Sequence, residues 1–228
     1  MKKNAGQNRR TKAITRFATD YFAALKQVID RVDTRQVAGL IEALQRTYDA
    51  DRQIFIVGNG GSAGTASHMA CDLAKTVLGK LPDRTKKRFR VMSMTDNVPL
   101  ITALSNDLGF EHVFTEQLQL FARRGDLLIV ITGSGNSPNL VRAVELAREM
   151  GLHTAGLLGF DGGKVRHLLD TTVLVPDFSY GYVEDLHMVL DHLITAWFCR
   201  QFHAPERVRQ APKLKKKGIR IRGSGRNA

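Results

Sequence analysis

The stretch Gln53-Ile-Phe-Ile-Val57-Gly58-Asn59-Gly60-Gly61-Ser62-Ala-Gly-Thr-Ala-Ser-His68-Met-Ala-Cys71-Asp72-Leu-Ala-Lys75 changes character twice. Ile54–Val57 is an apolar, mostly β-branched run, the composition of a buried strand. The next five residues are a glycine-rich turn, and from Ser62 the pattern becomes helical. A strand, a glycine turn and a helix start form an anion site, because unpaired backbone N–H groups and the positive end of the helix dipole converge there. His68 and Asp72 follow four residues apart, on one face of that helix.

Outward from this unit the same alternation repeats. Apolar runs at 53–57, 89–94, 127–131, 154–158 and 172–175 are separated by helical patterns at 62–78, 98–104, 112–123, 137–150 and 181–200. Near-continuous Val/Ile/Leu runs belong to strands covered on both faces. Their alternation with helices predicts a doubly wound α/β fold with a parallel sheet. Two helical patterns precede the first strand as an N-terminal extension. One carries Ile14, Phe17, Tyr21, Ala24, Leu25 and Val28; the other, from about Thr34 to Tyr48, carries Val37, Leu40, Ile41 and Leu44. With no strand before them, they are expected to pack on the side of the domain or on a partner subunit.

At 228 residues the chain suits one domain. The expected division is a basic flexible N-terminus at 1–12, a single domain at 13–203 and a basic disordered tail at 204–228, where proline, glycine and charge replace periodicity. The net charge of +12 resides in the ends: residues 1–19 carry +6, residues 204–228 carry +8, and the body is about −2. Such ends can touch nucleic acid or an acidic partner, or can simply be solvated. No run approaches the roughly 20 apolar residues of a membrane span. Two cysteines, Cys71 and Cys199, make no disulfide framework, and the expected compartment is the cytoplasm. Cys71 is expected as a small core residue.

Parallel α/β sheets bind ligands beyond the C-terminal ends of their strands. Three polar turns fall there: residues 58–62; residues 93–99, with the short helix that leads to Asn106-Asp107; and Thr132-Gly133-Ser134-Gly135-Asn136-Ser137-Pro138. In the third, Ser137 can cap a helix that Pro138 begins, and the hydroxyls with the helix N-terminus can hold a phosphate. Gly58, Gly60 and Ala63 also fit a G-x-G-x-x-A dinucleotide fingerprint. The ribose acid it requires about 20 residues on is missing, because a basic segment at 80–90 delays the second strand. Several hydroxyl-rich loops suit a compact phosphosugar better than a dinucleotide.

The 58–62 turn, Asn106-Asp107 before Gly109, the 132–137 loop and Asp161-Gly162-Gly163, in that order, resemble sugar isomerase (SIS) domains, most closely those of the phosphoheptose isomerases. The resemblance covers roughly residues 13–200. It implies a five-stranded parallel sheet flanked by helices, a homotetramer with sites at subunit interfaces, and a bound zinc ion.

From spacing alone, His68 with Asp72, and the set Glu184, His187, Asp191 and His192 on the last helix, in which Glu184 and His192 share nearly one face, are either surface ion pairs or capped histidines, or a divalent-metal set. The resemblance implies the metal set. His68 matches the family's zinc-binding His, and Asp72 stands where the family has a Glu that serves as general base. Glu184 stands where it has a Gln, and His192 matches the second acid–base His. Asp72 and His192 are therefore the expected catalytic pair, and His68, Asp72, Glu184 and His192 the expected metal ligands. Asn59, Gly60, Gly61, Ser62, Asp72, Asn106, Asp107, Thr132, Gly133, Ser134, Ser137 and Glu184 are the expected substrate contacts. The implied reaction is aldose–ketose isomerisation of sedoheptulose 7-phosphate through a metal-assisted enediol. The alternative is a non-catalytic SIS protein of the replication-initiator-associating type, which the basic ends would suit.

Overall fold

The computed structural model describes residues 2–79, 85 and 87–203, the side chains of 2–6 excepted. The 204–228 tail, and with it that end's expected nucleic-acid or acidic partner, lies outside the described residues.

Five strands, β1 (Gln53–Gly58), β2 (Arg90–Ser93), β3 (Leu127–Thr132), β4 (His153–Leu158) and β5 (Thr171–Leu174), form one sheet. Its order is β2-β1-β3-β4-β5 and every pairing is parallel. The two edge strands have four residues each, β2 being shorter than its 89–94 run and β5 as long as its 172–175 run, and this shortness limits the unpaired backbone they present. Seven α-helices complete the described fold: α1 (Lys2–Asp30), α2 (Thr34–Asp49), α3 (Gly61–Ala74), α4 (Val98–Leu108), α5 (Thr115–Phe121), α6 (Pro138–Glu149) and α7 (Tyr180–His203).

The period-2 alternation of the strands sorts the core into two layers. Ile54, Ile56, Leu127, Ile129 and Ile131 face one layer, with Leu40 and Leu44 of α2, Met69 and Leu73 of α3, and Leu190, Ile194 and Phe198 of α7. Phe55, Val57, Leu128 and Val130 face the other, with Leu118 of α5 and Leu140, Ala143 and Val144 of α6. Helices on both faces are what an all-parallel sheet requires. Caps mark several starts: Asp33 accepts a bond from the Arg35 N–H at 2.9 Å to open α2, and Asn97 accepts one from the Leu100 N–H at 3.2 Å to open α4.

Residues 2–12, expected as a flexible lead-in, continue α1 without a break. No proline interrupts them, and Thr11, Thr15 and Thr19 each return a hydroxyl to the carbonyl four residues earlier. α1 lies along α7: the Tyr21 hydroxyl donates to Asp185 at 2.6 Å, and the Tyr21 and Tyr182 rings are 4.8 Å apart. Ile14, Phe17, Phe22 and Ile29 remain exposed on α1, as do Val189, Leu193 and Trp197 on α7.

Candidate functional site

β1 sends its connection to one side of the sheet and β3 to the other, so the loops that leave them part at a switch point. A cavity of about 270 Å³ opens there. Its lining takes in residues 59–62, 132–134 and Ser137, with Tyr180 and Glu184 from α7. The expected contacts of the first and third turns thus share one wall-to-wall space. Asn106 and Asp107 do not reach it: they are exposed on α4, where the Asn106 amide donates to Asp107 at 2.8 Å. The polar residues after β2 are also committed elsewhere. Ser93, Thr95 and Asp96 bond to one another and to Ser67, which ties β2 to α3.

The third loop is held by its own backbone. The Thr132 hydroxyl accepts from the Gly135 N–H at 3.1 Å, so Thr132 shapes the turn rather than offering a free hydroxyl proton acceptor. Gly135 has φ +66°, and a Cβ there would lie 2.0 Å from the Gly162 carbonyl oxygen. The 161–163 turn is pressed against it, with the Lys164 N–H donating to the Asn136 side chain and the Val165 N–H to the Gly135 carbonyl, both at 3.1 Å. Ser137 occupies the cap position of α6, yet its side chain makes no capping bond, which corrects the reading of Ser137 as a conventional cap. Ser137 lines the cavity with its hydroxyl outside any capping bond.

Glu184 sits across the cavity from that hydroxyl's loop. Its carboxylate lies against Gly61, so close that a Cβ on Gly61 would be 2.8 Å from Oε2. This places the carboxylate at the positive end of α3. The cavity thus contains two helix starts: Glu184 covers that of α3, and that of α6 is open.

The ionisable residues gather in the second half of α3, where it packs on α7. His68 Nε2 and His192 Nε2 are 3.1 Å apart. Two nitrogens on one tetrahedral zinc lie about 3.3–3.4 Å apart, given bonds of about 2.0–2.1 Å. His68 Nε2 is 3.7 Å from Asp72 Oδ2, and Asp72 Oδ1 accepts from the Thr76 hydroxyl at 2.8 Å. Asp191 completes the group: one donor atom from each of His68, Asp72, Asp191 and His192 falls within 4.8 Å of the others. Glu184, expected in the metal set, is not in this group. Two imidazoles and two carboxylates are a donor set that fits a zinc-type divalent cation.

The SIS domain profile matches residues 20–159. The chain belongs to the SIS domain family. It is 34% identical over 175 residues to the phosphoheptose isomerase of Chlorobaculum parvum, covering 76% of this chain and 82% of that one. It is 33% identical over 183 residues to the phosphoheptose isomerase of Rhodospirillum rubrum, covering 80% and 92%. The solved phosphoheptose isomerase of Neisseria gonorrhoeae superposes with a TM-score of 0.72 at 29% identity, over 81% of this chain and 98% of that one. Similarity of this extent makes this SIS protein an enzyme of the isomerase class, similar to the phosphoheptose isomerases.

Two residues of this SIS site escape a reading by motif, and a third, Asp191, is legible in the sequence only as one of the ionisable residues of the last helix. Tyr180 begins α7 and packs over Gly133. Asn139 is buried and exchanges two 2.9 Å amide bonds with Asn59, fixing the first loop to α6. Asp191 is fully buried, and that desolvation, with the nearby Asp72 charge, pushes its pKa up to about 7. Cys71 is exposed, not part of the core as expected, because it is turned about 100° from Asp72 around α3.

His187, one turn before Asp191, is also fully buried, and neither ring nitrogen has a hydrogen bond of normal length. Burial pushes its pKa down to about 4, against a weaker opposing effect of the Leu158 backbone. The unfolded chain, with His near 6.5, then binds the proton first as pH falls. His187 therefore withdraws stability below about pH 6.5, by about 2 kcal/mol at pH 5, with the loss complete near pH 4. Asp191 acts oppositely, since its raised pKa withdraws stability as pH rises from about 4 to 7. A comparison of wild type with His187→Leu in EDTA isolates the first effect. Calorimetry at pH 7 and pH 5 should show the wild type losing about 2 kcal/mol relative to the variant.

Proposed function

We propose that this SIS protein interconverts a ketose phosphate and an aldose phosphate, with sedoheptulose 7-phosphate and a heptose 7-phosphate as the expected pair. One observation carries the reading: a hydroxyl- and glycine-lined cavity and a His/Asp cluster stand at opposite ends of the same helix, α3. Gly61 and His68 are seven residues apart, a rise of about 10 Å along that helix. An extended phosphosugar can span this, with its phosphate in the cavity and its carbonyl at the cluster. The names of the relatives point to the heptose.

The residues divide the work accordingly. The open N-terminus of α6, with the Ser134 and Ser137 hydroxyls, receives the phosphate. Asn59, Gly60, Gly61 and Ser62 border the sugar, and Glu184 faces its hydroxyls. Thr132 and Gly133 hold the loop. Asp72, pinned at Oδ1 by Thr76, keeps Oδ2 toward the cluster and takes the proton from the carbon beside the carbonyl. His192 moves the second proton, between the oxygens or onto the neighbouring carbon of the cis-enediol(ate). A divalent cation, zinc being the expected one, would polarise the substrate oxygens and stabilise the developing negative charge. The test is NMR of sedoheptulose 7-phosphate with the zinc-supplied protein in D₂O. Heptose signals and deuterium at the reacting carbon are expected; no turnover of any ketose phosphate overturns the reading.

The functional unit is proposed to be a homotetramer in the cytoplasm. Exposed Phe17, Phe22 and Ile14 on α1, beside Val189, Leu193 and Trp197 on α7, are more apolar surface than a solitary chain presents without a partner. No helix among the described residues is long and apolar enough to cross a membrane. Phe17→Asp should convert a tetramer to smaller species in sedimentation velocity and lower turnover with it.

A further inference from the structure

Asp191 is, among the described residues, the one buried carboxylate with neither oxygen in a hydrogen bond of normal length; its polar neighbour on α7 is the Thr195 hydroxyl one turn on, which has no such bond either. It is 0% exposed to bulk solvent. Buried polar atoms are almost always paired, and an ionised carboxylate without a counter-charge is among the costliest groups to bury. A cation in contact with the carboxylate removes that cost. Its surroundings supply the means to hold one. His68 and Asp72 on α3, and His192 beside it on α7, each bring a donor atom within 4.8 Å of the others.

Glu184 has a different environment. It stands seven residues before Asp191, about 10 Å along α7, with its carboxylate on Gly61 in the cavity. Besides Asp185, which Tyr21 holds, α7 therefore presents a buried carboxylate at the His pair and another at the loops. We propose that Asp191, rather than Glu184, is the second carboxylate ligand of the metal, and that Glu184 serves the substrate instead. The inference rests on the metal-assisted isomerase reading above. It assigns four ligands, His68, Asp72, Asp191 and His192, and it gives Asp72 a partner carboxylate so that Asp72 need not neutralise the cation alone.

The test is a titration of the EDTA-stripped full-length protein with Co²⁺, followed by its visible absorption, and with Zn²⁺ in competition. Wild type should bind one ion per chain. Asp191→Asn should weaken binding by more than about tenfold, since even groups that only support a ligand contribute on the order of 10–100-fold. Glu184→Gln should bind within about threefold of wild type. Thermal melts provide a second readout. In EDTA, Asp191→Asn and Asp191→Leu should melt at or above the wild-type temperature, because a buried charge is gone, and the rise in melting temperature that Zn²⁺ gives the wild type should shrink in both. Loss of Co²⁺ binding in Glu184→Gln with retention in Asp191→Asn would overturn the proposal, as would a wild type that takes up neither ion. The two readings fail separately. Turnover of sedoheptulose 7-phosphate by a wild type that takes up neither ion sinks the ligand assignment and leaves the isomerase. Asp191-dependent Co²⁺ binding without turnover of any ketose phosphate does the reverse.

Discussion

Asp72→Asn should lower kcat on sedoheptulose 7-phosphate by about 10²- to 10⁴-fold, the range that a positioned acid–base group contributes. The amide keeps the shape and can still meet the Thr76 hydroxyl, but it cannot accept the substrate's carbon-bound proton. KM should change little, since the proposed phosphate site lies at the N-terminal end of α3, away from Asp72. Asn is also a poorer metal ligand, so the assay is run at saturating Zn²⁺ with occupancy measured. A drop that followed occupancy alone would make Asp72 a ligand and not the base. Asp72→Glu is the informative partner. It restores the carboxylate that the family resemblance places here, one methylene longer, at the expense of the Thr76 contact at 2.8 Å. Retention of activity to within about tenfold, beside the collapse of the Asn variant, would establish that charge and basicity matter more than reach.

How far this was legible in the sequence differs between fold and site. Strands announce themselves by composition: β1, β3 and β4 fall where their Val/Ile/Leu runs predict, with ends moved by a residue. The glycine and hydroxyl loops could be placed at the strand ends because α/β sheets leave them nowhere else. Periodicity served the cluster less well. A spacing of eight residues puts Glu184 and His192 on nearly one face of α7, but it also puts them about 12 Å apart along the axis. Proximity along the helix matters as much as angle, and there the adjacent Asp191 has the advantage. Its burial depends on the groove between α3 and α7, which no local pattern encodes. Likewise the Asn59–Asn139 amide pair joins residues 80 apart, and only the parallel pairing of β1 with β3 brings them together.

Gly135→Ala should have the largest effect on the loop itself. An alanine at φ +66° adopts a left-handed conformation that costs about 1–2 kcal/mol. Its Cβ would meet the Gly162 carbonyl oxygen at 2.0 Å, and that neighbour is backbone within a turn of two further positive-φ glycines. The 161–163 turn must retreat, at about 1–3 kcal/mol more. Together these should lower the melting temperature by about 10 °C. Gly64→Ala is the control: it lies within α3, nothing stands within 4 Å of its added Cβ, and it should stabilise by about 0.5–1 kcal/mol. The functional effect follows from what Gly135 holds. Its N–H bonds to Thr132 and its carbonyl to Val165, so its displacement moves Ser134 and Ser137 away from the open end of α6. A displacement of about 1 Å in such a binding loop can lower kcat/KM by about 10²-fold. Zn²⁺ content should stay at the wild-type level, because the His68–Asp72–Asp191–His192 group lies at the other end of α3. An equal loss of metal and of turnover would mean that cavity and cluster are one mechanical unit, and that the separation of phosphate binding from proton transfer does not hold.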